Sequence, residues 1–226
     1  DRPDLPFGPG LYIRSVHGHG VVRPELFHLS WSEGVPVRLV EVEACPSRLV
    51  LDHPEGGRVV VCLPEPGTIR LYGEDVGLRL QMAAGPGVIA YPAERGRWIV
   101  NSRPSYRRYL FEPIEGAVRV DASRVGHSTV ALDLVPDGGC FDVAVDEFGS
   151  SWVPRRRSDF GTCLEEVSAA FQTWMEGMPE VDATWQRALQ WAAYVDWSCV
   201  VEPFDRLERP AMYMSKNHMC QVWSWD

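Results

Sequence analysis

The apolar positions of this chain change their period once, near residue 155. Upstream, they recur every second residue in short runs. Val37, Leu39, Val40 and Val42 are set against Arg38, Glu41 and Glu43, and Leu78, Leu80 and Met82 against Arg79 and Gln81. Period-two alternation marks strands with one buried face and one wet face. The pattern predicts strands over 11–15, 25–31, 37–43, 58–63, 68–72, 78–82, 88–91, 98–102, 106–112, 118–120, 129–134 and 140–145. Turn-forming pairs and triplets such as Gly56-Gly57, Pro66-Gly67, Gly85-Pro86-Gly87 and Gly138-Gly139 separate them. Short strands in this number, with no long helix between them, predict an antiparallel sandwich or barrel.

Downstream the step becomes three and four. Leu164, Val167, Phe171, Trp174 and Met178 share one stripe. Thr162 followed by Glu165 reads as a capping box, and Gly177 with Pro179 beyond it reads as the helix end. A second helix starts at Asp182 or Thr184 and runs to about Val201. Its Trp185, Leu189, Trp191, Tyr194, Val195, Trp197 and Val200 go almost all the way round the cylinder. A helix apolar on every side has to be enclosed on every side, and one sandwich with one other helix cannot do that. Partners beyond these elements are therefore expected. The fold class read here is mainly β: an antiparallel β-sandwich over 1–155, then linker and first helices over 156–226, two or three in all, that begin an (α/α) barrel.

Composition is ordinary for a folded protein, with 45% hydrophobic and 23% charged residues in 226. Net charge is −9. The longest basic run is Arg155-Arg156-Arg157, read as a solvated linker, so neither nucleic acid nor a membrane surface is an expected partner. No apolar run is long enough to span a bilayer. Six cysteines lie scattered without metal-ligand spacing, which favours free thiols and a cytoplasmic location, with secretion as the alternative.

The last residues carry the sharpest signal. Met214-Ser215-Lys216-Asn217-His218-Met219-Cys220-Gln221-Val222-Trp223-Ser224-Trp225-Asp226 ends in Trp-x-Trp-Asp. Flat rings stack on the C–H faces of a sugar while a carboxylate accepts from its hydroxyl rim, so Trp223, Trp225 and Asp226 form a candidate substrate-binding cluster. The bland alternative is that the two indoles are core and Asp226 caps a following helix. A chain that stops on so aromatic a segment is expected to be part of a longer polypeptide.

This segment resembles the opening motif of clan-G-type glycoside hydrolases, the family 63 processing α-glucosidases and family 37 trehalases. The local motif covers about fifteen residues. The order of sandwich, linker helix, Trp-rich helix and motif is similar over the rest. The resemblance implies an inverting hydrolase of oligosaccharides whose Asp226 grips substrate in a glucose-like subsite. Two carboxylates, roughly 6.5–9.5 Å apart, would perform the chemistry. By the same resemblance they fall after Asp226, so no catalytic residue is expected in this chain. Its partners would be a carbohydrate substrate and the remainder of its own catalytic domain, with no cofactor.

Two other readings stay open. The sandwich itself could hold sugar without catalysis, which rows of exposed aromatics on one sheet would favour. A cupin-like metal protein could use His17 and His19, but glycines flank both and no third ligand lies near, so no metal is expected. Lys216, Asn217 and His218 could line a pocket or simply pack. His53 and His127 sit in polar turns. Asp142, Asp146 and Glu147 lie close enough in sequence to raise a calcium site, though their spacing does not match a calcium loop.

Overall fold

A computed structural model describes residues 10–14, 26–83, 88–102, 107–122, 129–201, 203 and 208–212. The alternating segments form two antiparallel sheets. The smaller runs β1 (Tyr12–Arg14), β2 (Leu26–Trp31), β7 (Leu78–Ala83), β12 (Thr129–Val135), β11 (Ala117–Ala122). The larger runs β3 (Val42–Cys45), β4 (Arg48–Asp52), β5 (Arg58–Glu65), β6 (Thr68–Glu74), β13 (Cys140–Phe148), β10 (Arg107–Glu115), β9 (Trp98–Ser102), β8 (Val88–Pro92). The mainly β, antiparallel sandwich expected from the alternation is what the chain forms.

The core lies between the sheets. Leu29, Leu78, Leu80, Leu132 and Leu134 of the smaller sheet face Leu71, Val100, Phe111, Phe141 and Val143 of the larger. Phe27 stands edge-on to Tyr109 and Phe111 of the opposite sheet, with ring centroids 5.2 and 5.6 Å away. Two glycines admit close approaches. A Cβ on Gly73 would lie 2.1 Å from the ring of its cross-strand partner Phe141. Gly116, at φ +75°, turns the chain from β10 to β11, where a Cβ would meet the Val135 carbonyl oxygen at 2.6 Å.

The structure departs from the alternation at 37–43. Glu41 accepts from the Arg38 backbone N–H at 3.0 Å and from the Trp31 indole N–H at 3.3 Å. These bonds draw Leu39–Glu41 into a 3-10 turn, and the strand starts only at Val42. Strand β4, which the pattern misses, pairs with β3 and β5.

Unlike a sandwich wet on both outsides, the larger sheet is covered on the outer face of its middle too. Residues 141–146 of β13 are all buried, the alternate side chains Asp142, Ala144 and Asp146 among them. Residues 150–159 cross that face, and α1 (Phe160–Glu176) lies on it, burying Cys163, Val167 and Phe171. The helix starts two residues before the expected cap. Asp159, not Thr162, is the N-cap, and its carboxylate accepts from the Thr162 N–H at 3.0 Å and from the Thr162 hydroxyl. Gly177 closes α1 as expected.

A 3-10 turn at Ala183–Trp185 leads into α2 (Gln186–Cys199). Phe171 packs on Trp197 with centroids 5.1 Å apart, and the Trp174 indole N–H donates to the Ala193 carbonyl at 3.0 Å. β14 (Val200–Val201) then pairs with β15 (Ala211–Met212).

Candidate functional site

The outer face of the larger sheet holds the densest chemistry among the described residues. Arg70 sits mid-strand in β6 with 2% of its surface exposed. Its Nε and Nη2 donate to the two oxygens of Asp142 on β13 at 2.5 and 2.7 Å. Its two terminal nitrogens also donate to the Ser158 carbonyl at 3.2 Å. A bidentate pair removed from water needs all its remaining donors satisfied, and here the crossing segment supplies the acceptor.

Two strand repeats further along, Asp146 gathers three donors. These are the Thr68 hydroxyl and the Trp152 indole N–H, both at 2.8 Å, and Arg157 Nη2 at 2.5 Å. Arg157 also donates to Glu112 and Glu65, and Arg155 to Thr68 and the Pro66 carbonyl. Burial opposes the charge on Arg157, but Asp146 and Glu112 outweigh it and hold its pKa above the ordinary arginine value. The arginine run is therefore no solvated linker. Arg155 and Arg157 alternate inward onto the sheet while Arg156 stays exposed, and together with Trp152 they fasten the crossing segment down.

Beside this clamp, between the ends of β6, β10 and β13 and the start of α1, opens a cleft of about 600 Å³. Tyr72 and Phe160 stack in it, 22° from parallel with centroids 5.0 Å apart. Ile114, Glu115, Asp142 and Asp159 also border it. Burial first, then the carboxylates of Glu74, Glu115 and Asp142, push the Tyr72 phenol above its usual pKa.

The calcium reading of Asp142, Asp146 and Glu147 is overturned by the pairing. Asp142 and Asp146 face outward and hold arginines, while Glu147 faces the other side and pairs with Arg107 at 3.4 Å. Among the described residues no group of three or more His, Cys, Asp or Glu is arranged to hold a metal. His53 is more enclosed than a polar turn implies. It hydrogen-bonds Glu33 at 2.9 Å, accepts from the Glu55 N–H, and packs edge-on against Trp31. Cys45, Cys62, Cys140, Cys163 and Cys199 are free thiols, and burial pushes Cys62 up to about 12.

Trp223, Trp225 and Asp226 lie outside the described residues, as do His17, His19, His127, Lys216, Asn217, His218 and Cys220. The sequence reading missed the Arg70–Asp142 pair and the Tyr72–Phe160 stack. A lone arginine inside Thr68-Ile69-Arg70-Leu71-Tyr72 was the available signal, since an apolar strand admits a charge only against a partner.

The second helix presents a different surface. Leu189, Ala193 and Trp197 turn toward α1, whereas Ala188, Trp191, Ala192 and Val195, again at three- and four-residue spacing, face outward, as does Trp185 in the turn before the helix. Trp185 is 63% exposed, Trp191 60% and Val195 53%. No helix among the described residues is long and apolar enough to cross a membrane.

No known protein family matches the sequence, and no curated protein does. The fold has a counterpart among solved structures: the family GH92 inverting mannosidase of Bacteroides thetaiotaomicron, with a TM-score of 0.57 at 9% identity over 85% of this chain. The chain spans about a third (33%) of that mannosidase's length. At that identity the likeness is one of fold, so the chain shares the architecture of a region of a glycoside hydrolase.

Proposed function

We propose that this chain is the sandwich-and-linker part of an inverting glycoside hydrolase acting on oligosaccharides. In this reading residues 1–155 form the supporting sandwich and 156–226 the linker and first helices of an (α/α) barrel. The observation that carries it is the outward stripe of α2. Single exposed apolar residues are common, but Trp191 and Val195 on one face of α2, with Trp185 exposed in the turn that leads into it, mark a surface meant to be covered. In the fold neighbour two thirds of the chain lies beyond the matched region, which is where such a cover would come from. Further helices of the same polypeptide are the occupant assigned to that stripe.

Trp223, Trp225 and Asp226 would then follow the β14–β15 hairpin and grip a pyranose, with the acid and base supplied by later residues. The family 63 or 37 character and the α-glucosidase specificity rest on the Trp-x-Trp-Asp resemblance. The neighbour is an inverting mannosidase, so both aryl α-glucosides and α-mannosides belong in the test. Residues 1–226 alone should give no turnover above background on either. The polypeptide expressed from the complete reading frame should hydrolyse one of them, with inversion seen by NMR of the released anomer. Asp226→Ala should raise KM and lower kcat in that polypeptide. Sustained turnover by residues 1–226 alone, or a complete polypeptide inert on both, overturns the reading.

A further inference from the structure

We propose that the cleft between β6, β13 and the start of α1 is a second saccharide-binding site, built from residues other than those of the terminal tryptophan motif. It is a wide-mouthed groove of about 600 Å³, suited to a ligand laid against its wall rather than enclosed. The class of ligand follows from which groups are already spent. The cations at its border, Arg70 and Arg157, are held by Asp142 and by Asp146, Glu112 and Glu65. The cleft therefore offers no positive field to a phosphate or carboxylate. It holds no metal-ligand set among the described residues either.

Acceptor capacity and ring surface are left. Each carboxylate oxygen has two lone pairs, so Asp142 and the cap Asp159 can accept beyond their internal bonds. Glu115, on the exposed end of β10, faces the same space. The Tyr72 phenol can donate or accept. The stacked Tyr72 and Phe160 rings supply an apolar wall against which a C–H face can lie. A neutral molecule with many hydroxyl donors and an apolar face matches this set; an anion does not. The site is also rigid. Tyr72 is fixed by the β5–β6–β13 ladder, and Phe160 by the Asp159 cap and the clamped segment before it, so little ordering cost falls on binding.

Titration of residues 1–226 with maltotriose, mannotriose and cellotriose tests this, read by backbone amide shifts and calorimetry. One of the three should bind saturably with Kd on the order of 1 mM and shift amides around Tyr72, Glu115 and Phe160. Tyr72→Ala should weaken binding about tenfold, the loss of one stacking contact. Phe160→Leu, at a helix start that tolerates it, should do the same if Tyr72→Ala fails to fold. Trp191→Ser on α2 should leave Kd unchanged. Absence of saturable binding by all three sugars overturns the proposal. So does binding that survives Tyr72→Ala and Phe160→Leu but disappears in Trp225→Ala, which would put the sugar on the terminal motif. No catalytic assay enters, so this proposal and the hydrolase reading can fail independently.

Discussion

Helices α1 and α2 are neighbours in sequence and in space, yet they solve burial in opposite ways. α1 places Cys163, Val167 and Phe171 against the sheet and its neighbour and sends polar residues outward. Its apolar stripe is as wide as the surface that receives it. α2 fully buries only Ala193 and, with the turn that leads into it, shows Trp185, Trp191 and Val195 to solvent. Its apolar surface is wider than anything the described residues offer it. A helix that is over-provided with apolar area in this way is matched to an environment larger than the elements described, whereas α1 is complete as it stands.

The comparison can be broken most sharply at the clamp that delivers α1 to its seat. Asp146→Ala leaves Arg157 buried without its closest carboxylate and strips acceptors from Trp152 and Thr68. A loss of about 3–5 kcal/mol in urea unfolding is expected, with new tryptic cleavage after Arg155 and Arg157. An unchanged tryptic pattern would show that the crossing segment does not depend on the clamp. Phe171→Ala, which empties the contact between α1, α2 and Trp197, should cost about 3 kcal/mol by the same measurement. The smallest effect belongs to α2. Replacing Trp185 and Trp191 together by Ser should change the stability of residues 1–226 by no more than about 0.5 kcal/mol while lowering binding of an apolar dye. If the pair costs as much as Phe171→Ala, the stripe is already covered by this chain, and the contrast between the helices disappears.

Much of the sandwich could be read from residue order. Leu78-Arg79-Leu80-Gln81-Met82 declares its inward face by alternation alone, because a strand has a side-chain period of two. The segment 37–43 alternates too, yet it becomes a strand only at Val42, since the Glu41 carboxylate captures the Arg38 N–H and bends the backbone before it. A side chain bonding to its own backbone three residues away is a local competitor that periodicity does not register. The cap shows the same limit on a smaller scale. Thr162 and Glu165 fit a capping box, but Asp159 reaches the Thr162 N–H first and starts the helix earlier.

The candidate sites were less legible. Arg70 and Asp142 are 72 residues apart in the chain and meet only because β6 and β13 are paired, with Asp142 opposite Tyr72. Tyr72 and Phe160 stack only because the crossing segment is pinned where it is. The sequence by itself determined the change from period two to period 3.6, the sandwich class, the two helices and the excess of apolar surface on the second. These are properties of neighbouring residues along one strand or one turn, and they follow from backbone geometry. The tertiary structure alone decided that the middle of the larger sheet is buried on both faces, that Arg155 and Arg157 are fasteners, and where a cleft opens. Those outcomes depend on which distant strands lie side by side, and strand pairing is a long-range choice that local spacing does not encode.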